Sequence, residues 1–387
     1  MDKNKIKVCM LTHNPPFQGG IVQYCVLLAN QLKNKVNLNI VGFDKLYPPF
    51  LYKGKLPSKS GNGLHFETKY TNFIKWYNPF TWIKTYNIMK KADIMFLHWV
   101  SPLLAPLQYT ILKLNSVFRK KKVILTCHNI EPHESTIFDR IFTKKVFSLV
   151  DHFIVHAEQN KLRLIKEYRK NPNKIHVVPH GTFDFFTKWR KKNKKELKKE
   201  FNLNENEKII LFFGYIREYK GLKYLLKSMH EVIKEDKNIR LIIAGELWQN
   251  MEVYEKELNG LENFVKFFPK FIPNQEVYKF FDVADICVLP YHNTEQTISG
   301  PLLVALAFGK PTIISPVGGI REFIKDGQEA IFSQGGDVKL LSENIIKLIK
   351  DKNLQDKLSK NAIKKNSTFG WDKVTSKYYE IMKNIRV

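Results

Sequence analysis

The sequence predicts an α/β protein of two domains, each a parallel sheet covered by helices. Short apolar runs alternate with helical patterns in both halves of the chain, and this alternation is typical of parallel sheets. The 387 residues suffice for two domains of ordinary size. With 44% hydrophobic and 13% aromatic residues, the composition is that of a globular protein.

The apolar runs predict the order of the strands. The change from the first set to the second follows the sequence Val-Pro-His-Gly that ends at Gly181. We therefore expect one domain at 1–180, a second at 181–367 and a closing helical segment at 368–387. The predicted strands are 8–11, 38–41, 94–97, 123–126, 153–155 and 175–178 in the first half, then 209–213, 239–244, 265–267, 286–289, 312–314 and 330–332.

A strand, a glycine turn and a helix follow one another between residues 209 and 233. Gly214 ends the strand, and Arg217 and Lys220 lie in the turn before the amphipathic pattern at 222–233. Two cations beside the N–H groups of a helix start form a suitable binding site for phosphate. We expect both cations at the surface with the substrate as their partner, although a plain turn with two solvated charges has the same pattern.

A second helix start comes about 75 residues further on. Ser299 suits the N-cap, Pro301 suits the first turn, and the apolar stretch 302–308 predicts a buried helix that Gly309 ends. The unpaired N–H groups at Ser299 and Gly300 could bind an anion.

Glycines and a glutamate follow two other predicted strands. Gly19 and Gly20 precede a helical pattern at 22–32 and would let the backbone approach a phosphate, with a plain turn as the alternative. Glu246 follows the strand 239–244 and could bind a hydroxyl group, with a helix-start role as the alternative.

His128 ends the strand 123–126 at its carboxyl edge, and Glu131 and His133 follow. An imidazole can donate, accept and titrate near neutral pH, so His128 is the candidate catalytic residue, with a hydrogen-bonded structural role as the alternative. The spacings of three and two match no standard zinc signature, so we expect no metal here.

The net charge of +26 indicates an anionic partner. Residues 1–180 hold 28 Lys and Arg against 10 Asp and Glu, whereas residues 181–387 hold 35 against 27. A basic first half suggests an anionic membrane surface or an anionic acceptor. The chain has no recognisable nucleic-acid module, so nucleic acid is not the expected partner.

The segment 69–91 interleaves lysines with aromatic residues, among them Trp76, Tyr77, Phe80 and Trp82. This composition fits an interfacial membrane anchor and equally a helix that packs its aromatics on the sheet.

The four cysteines are widely spaced and lie mostly in apolar runs, which predicts buried free thiols. No N-terminal signal is visible, so a cytoplasmic location is expected.

Together these segments resemble the nucleotide-sugar glycosyltransferases of the GT-B fold, in particular glycosyltransferase family 4, also called glycosyl transferases group 1. Lys220 stands six residues after Gly214, as in the family's G-R-x-x-x-x-K-G signature, while the arginine is displaced from the place of Tyr215 to Arg217. The resemblance extends, in family order, to G-G-I at 19–21, T-C-H-N-I-E-P-H-E at 126–134 and V-V-P-H-G-T at 177–182.

The resemblance implies two Rossmann-like domains facing a central cleft, with the closing helix returning to the first. The first domain would bind the acceptor and the second a UDP- or GDP-sugar, without a metal or other cofactor. His128 would be catalytic, and Glu131 and His133 would line the acceptor side. The implied donor-binding residues are Gly19, Gly20, Arg217, Lys220, Glu246, Glu295, Gln296, Ser299 and Gly300.

The chain departs from the family at its paired glutamates. Those places fall on Gln296 and Val304, with Glu295 adjacent to the first. Valine cannot hydrogen-bond a ribose. The Q-x-x-S-G pattern suggests a sub-branch in which the backbone at Ser299 and Gly300 holds the donor.

The sequence therefore predicts a retaining hexosyltransferase that acts on a glycan or lipid-linked acceptor in cell-surface polysaccharide or glycoconjugate synthesis. Peripheral attachment to the inner face of the plasma membrane is part of this expectation. The alternatives are a nucleotide-sugar epimerase on the same fold and a basic protein that binds nucleic acid or another anion.

Overall fold

The protein divides into two compact units in a computed structural model. The first unit comprises Met1–Gly181 and Phe369–Val387, and the second comprises Thr182–Thr368. The structure describes residues 5–46, 63–118, 120–130, 137–292 and 298–386.

The first unit is built on a seven-stranded parallel sheet in the order β3-β2-β1-β4-β5-β6-β7. Strand β4 is the central one, and all six of its residues are buried, as expected for a strand covered on both faces. The strands are β1 (Lys7–Leu11), β2 (Asn37–Lys45), β3 (Tyr70–Lys75), β4 (Ile94–Trp99), β5 (Lys122–Cys127), β6 (His152–Val155) and β7 (Ile175–Val177). The helices between them are α1 (Gly20–Leu32), α2 (Pro79–Met89), α3 (Ala105–Phe118), α4 (Ile137–Phe147) and α5 (Glu158–Tyr168).

The second unit has a six-stranded parallel sheet in the order β10-β9-β8-β11-β12-β13. Its strands are β8 (Lys208–Phe213), β9 (Ile239–Ala244), β10 (Val265–Phe268), β11 (Ile286–Leu289), β12 (Thr312–Ile314) and β13 (Ile331–Phe332). Its helices are α6 (Lys194–Glu200), α7 (Leu222–Glu235), α8 (Glu252–Leu258), α9 (Val277–Val283), α10 (Gly300–Ala307), α11 (Ile320–Phe323), α12 (Val338–Lys350) and α13 (Lys352–Ser367). The predicted α/β class with two parallel sheets is thus confirmed.

The last helix, α14 (Trp371–Arg386), belongs to the first unit. The Tyr378 hydroxyl lies 2.7 Å from that of Tyr24 on α1 and 3.1 Å from Thr126 Oγ1 on β5. A Cβ atom at Gly181 would overlap the Trp371 ring, so glycine is needed where the two segments meet. The helix is therefore held by buried polar contacts as well as by apolar packing.

The segment at 69–91 differs from both sequence interpretations, because it begins with strand β3 and only then forms α2. Trp76 and Trp82 pack against the core of the first unit, and the Trp82 indole donates to the Lys75 carbonyl at 3.0 Å. Tyr77 and Phe80 are instead 55% and 81% exposed. Of the four aromatics, only these two stand at the surface as an anchor would require.

The four cysteines are free and buried, as predicted. Among the described residues, no helix combines the length and the apolar character needed to cross a membrane.

Candidate active site

The loops after β8 and β9 contact one another at the carboxyl edge of the second sheet. The Ile216 N–H donates to the Glu246 carbonyl at 2.8 Å, and the Trp248 N–H donates to the Ile216 carbonyl at 3.1 Å. A Cβ atom at Gly245 would overlap the carbonyl oxygen of Gly214. Only glycine at 245 lets the two loops approach this closely.

Arg217 is half-buried in this loop pair rather than freely solvated. Its guanidinium carbon lies 4.1 Å from the centroid of the Trp248 ring, a stacked cation–π arrangement. The Trp248 indole in turn donates to the Glu246 carboxylate at 3.2 Å. Trp248 therefore fixes the plane of the guanidinium and joins two predicted donor-binding residues, Arg217 and Glu246.

Lys220 is buried, which corrects the expectation of a surface cation. Its side chain is 5% exposed, and its ammonium lies 4.3 Å from the ring centroid of Tyr291 and 5.2 Å from that of Tyr219. Burial, and then the neighbouring Arg217, lower the pKa of Lys220 to about 7. Within the described part of the chain, no carboxylate forms an ion pair with Lys220.

A buried lysine without a carboxylate is costly, because burial disfavours its charged form. An anionic ligand would supply the missing counter-charge. Groups with strongly perturbed pKa values cluster at functional sites.

Tyr291 connects Lys220 to the start of α10. Its hydroxyl hydrogen-bonds Ser299 Oγ, which also accepts the Leu302 N–H at 3.1 Å as the N-cap of the helix. Ser299 is fully buried, and its side chain serves the cap.

In the first turn of α10, the Leu302 N–H donates to Ser299 Oγ and the Leu303 N–H donates to the Ser299 carbonyl. Pro301 has no N–H. The Gly300 N–H is therefore the first-turn donor that these contacts do not use. A Cβ atom at Gly300 would meet only Phe183, at 3.6 Å, an ordinary contact. Glycine is therefore not required here by the fold. Val304 is buried within α10, and Glu295 and Gln296 lie outside the described residues.

His128 lies in the first unit, directly after β5, and is buried. Its Nε2 lies 3.0 Å from Nδ1 of His98, and the two rings stack with centroids 5.3 Å apart. Burial, followed by the influence of His98 and His156, holds the pKa of His128 well below its usual range. At neutral pH the side chain is therefore a neutral imidazole that can donate or accept a hydrogen bond.

Among the described residues, His128 is one of five buried histidines at the carboxyl edge of the first sheet. Four of them surround the buried ring of Tyr24, with centroid distances from 4.6 Å to 6.2 Å. Sequence reasoning singled out only His128. The signal it missed is a histidine at or just after each of five adjacent strands, namely His13 (β1), His98 (β4), His128 (β5), His156 (β6) and His180 (β7).

The Gly19-Gly20 pair also lies at this edge. Gly19 has φ 108° and ψ 167° and precedes α1, whose first residue is Gly20. The positive φ explains the glycine at position 19. Glu131 and His133 lie outside the described residues.

Two family models match the chain, one in each half. The model for glycosyltransferase family 4 matches residues 18–182, and the model for glycosyl transferases group 1 matches residues 193–365. Between them they span most of both units.

Among curated relatives, the D-inositol 3-phosphate glycosyltransferase of Corynebacterium efficiens is 23% identical over 245 residues. The alignment covers 60% of this chain and 56% of the relative, so the chain spans little more than half the length of the curated relative.

Solved structures resemble the whole chain. The Anabaena protein HepE, in complex with UDP and glucose, gives a TM-score of 0.78 at 13% identity, over 98% of this chain and all of that chain. WaaG, a glycosyltransferase involved in lipopolysaccharide biosynthesis, gives 0.68 at 14% identity, over 97% of this chain and 99% of its own. At these identities the likeness establishes the fold.

Proposed function

Because the chain belongs to the GT-B glycosyltransferases of the group 1/family 4 type, we propose that it transfers a hexosyl group from a nucleoside diphosphate sugar. The observation that carries this proposal is the buried side chain of Lys220, whose pKa the stacked guanidinium of Arg217 lowers further. Two cations that influence one another in this way, with no carboxylate paired to Lys220 in the described part of the chain, fit a ligand with two adjacent phosphates.

The proposed catalytic effect of these cations is electrostatic. As the bond between the sugar and the diphosphate breaks, negative charge grows on the leaving group. Lys220 and Arg217 are already fixed by Tyr291 and Trp248, so they would stabilise this charge without reorganising. The Gly300 N–H at the start of α10 would add a backbone donor.

The nucleotide is proposed to be UDP or GDP. The neighbouring HepE structure contains UDP, and this favours UDP as the first nucleotide to test. Glu246 would accept a hydrogen bond from a donor hydroxyl while holding Trp248 in place. Glu295 and Gln296 remain proposed donor contacts.

We assign the neutral imidazole of His128 to a hydrogen bond with the donor sugar. Neutral imidazole suits a hydroxyl group, because it offers one donor and one acceptor. Metal-independent transfer with retention of the anomeric configuration is part of the proposal. The anomer of the isolated product, read by proton NMR, tests the retention.

The proposed acceptor is a glycan or a lipid-linked glycan, and the proposed location is cytoplasmic, with peripheral contact to an anionic membrane. The start of α2 supports the membrane contact. Tyr77, Phe80 and Ile83 are all exposed there, beside exposed Lys84. Exposed apolar side chains next to lysines suit the headgroup region of an anionic bilayer.

A panel of nucleotide sugars tests the proposal. We expect one UDP- or GDP-sugar to raise the midpoint of thermal unfolding and to be hydrolysed slowly without acceptor, with release of the nucleoside diphosphate. Recovery of an epimerised donor would favour the epimerase alternative. Absence of both stabilisation and turnover across the panel would contradict a donor site.

A further inference from the structure

The histidine cluster of the first unit includes a cysteine. Cys25 on α1, His98 on β4 and His128 after β5 are all buried, and one possible ligand atom from each lies within 4.8 Å of the other two. Among the described residues, these three form the one group of at least three His, Cys, Asp or Glu side chains that could hold a metal ion.

The imidazoles around this group present acceptor nitrogens. The His156 Nδ1 donates to the Val178 carbonyl at 2.9 Å, and the His180 Nδ1 donates to the Gly181 carbonyl at 2.7 Å. Each of these rings therefore carries its proton on Nδ1 when neutral and a lone pair on Nε2. Histidines that bind metals are oriented in this way, with the other nitrogen bonded to a backbone carbonyl or a carboxylate.

Two of the buried nitrogens have no hydrogen-bond partner among the described residues, Nε2 of His98 and Nε2 of His156. His156 lies against His128, with ring centroids 5.4 Å apart. Buried polar atoms are almost always satisfied. Unpartnered imidazole nitrogens beside a buried thiol are therefore an independent sign of a ligand.

A second histidine pair in the same unit provides a contrast. His152 Nδ1 lies 3.1 Å from His176 Nε2, and the rings stack with centroids 5.4 Å apart, much as His98 and His128 do. This pair is only partly buried and has no cysteine in a comparable group. Stacked histidines alone are thus a packing motif, and Cys25 distinguishes the first pair.

We propose that Cys25, His98 and His128 form a binding site for a transition-metal ion of the Zn²⁺ class. One thiolate and two imidazoles are ligands that Zn²⁺ prefers. Zinc–nitrogen and zinc–sulfur bonds of ordinary length put tetrahedral ligand atoms roughly 3.3–3.6 Å apart, so the group need contract by only about 1 Å. His156 Nε2 or a water molecule would complete the tetrahedron.

Binding changes the protonation state of Cys25, because a cysteine coordinates a metal ion as its thiolate and the thiol proton is released to solvent.

Occupancy would inhibit transfer, a consequence that rests on the proposed function. The ion would hold the His128 nitrogen that is otherwise assigned to the donor sugar. Zinc would then be an inhibitor whose effect a chelator reverses. Metal binding itself can be measured without any assay of transfer, so the two proposals can fail separately.

The test is a titration of the full-length, metal-stripped protein with Co²⁺ and Zn²⁺. We expect one equivalent of Co²⁺ to produce a thiolate-to-cobalt charge-transfer band, which Zn²⁺ abolishes by displacement. Cys25→Ser should lose the band, and His98→Gln should weaken zinc affinity by at least the roughly 10–100-fold that loss of an outer-shell partner costs. The matched controls Cys9→Ser and His152→Gln should bind as the wild type does.

A wild-type protein that gives no band, or that takes up no zinc, overturns the proposal. A band that persists in Cys25→Ser also overturns it. If Cys25→Ser does not fold, as judged by circular dichroism, the single variants Cys9→Ser, Cys127→Ser and Cys287→Ser decide by elimination. A band in all three assigns the thiolate to Cys25, whereas its loss in one of them refutes the assignment.

Discussion

The carboxyl edges of the two sheets occupy the same place in similar topologies, yet they carry opposite chemistry. In the part of the chain that the structure describes, the edge of the first sheet gathers five buried histidines, and burial lowers the pKa of His13 and His156 to about 4 and that of His180 to about 3. The edge of the second sheet gathers Arg217 and Lys220. One edge is thus polar and uncharged at neutral pH, whereas the other holds the permanent charge of Arg217 and an amine, Lys220, whose pKa is lowered to about 7.

This difference separates what the fold contributes from what the side chains contribute. Parallel sheets place functional loops at the carboxyl edge. The type of ligand is set afterwards by the residues in those loops. Neutral imidazoles match sugar hydroxyls or a soft metal ion, whereas a stacked guanidinium and a buried ammonium match phosphate.

The largest expected effect comes from removing the buried ammonium. Lys220→Met should lower kcat/KM by roughly 10²–10³-fold, the usual result of deleting one preorganised transition-state contact. The free energy of unfolding should be unchanged or higher, because an uncompensated buried charge is removed. Steady-state kinetics and thermal unfolding measure the two quantities.

Lys310→Met is the matched control for this variant. Lys310 is a half-buried lysine of the same unit, with a pKa lowered by desolvation to about 8, and its ammonium donates to the Ala284 carbonyl at 2.9 Å. The variant Lys310→Met should therefore retain the kcat of the wild type. Equal losses in the two variants would mean that burial of a lysine, rather than contact with the donor, explains the result.

A smaller effect is expected at the histidine edge. His128→Ala should lower kcat by about 10²-fold through loss of one positioned hydrogen bond. His128→Gln should recover part of this rate, since an amide also donates and accepts. Because the pKa of His128 is well below its usual range, the pH–rate profile should show no imidazole titration between pH 6 and pH 8. A step in that range which vanishes in His128→Gln would contradict the neutral role.

The smallest expected effect concerns the exposed apolar side chains at the start of α2. Phe80→Ser with Ile83→Ser should weaken binding to anionic vesicles, and salt should weaken it further, since each nearby cation contributes about 1 kcal/mol. Val253→Ser, which alters an exposed residue of the second unit, is the control. Sedimentation with vesicles measures the binding. Wild-type protein that stays in the supernatant at low salt would contradict the proposed membrane contact.

Most of the strands could be predicted because they contain a short apolar run, as at Ile286–Leu289. Strand β3 was missed because it lies at the edge of its sheet and is largely exposed, so no apolar run marks it. The sequence also predicted the helix start at Ser299–Gly300, where serine and proline act locally, and a helix from residue 22 that the structure begins two residues earlier, at Gly20.

The surroundings of the site residues could not be predicted in the same way. The sequence pointed to His128 and Lys220, but their burial depends on which strands are neighbours. Tyr291, for example, meets Lys220 only because β11 pairs with β8. Such contacts follow from strand order, which one sequence does not reveal.

If the buried Lys220 side chain binds the diphosphate, the binding of UDP is coupled to the uptake of a proton. At pH 8 a lysine of pKa about 7 is about 90% uncharged, and an adjacent anion raises that pKa. Calorimetric titration with UDP in buffers of different ionisation enthalpy should therefore show uptake approaching one proton in the wild type and in Lys310→Met. Lys220→Met should bind UDP more weakly and take up none. Equal affinity and equal proton uptake in the wild type and Lys220→Met would contradict the account.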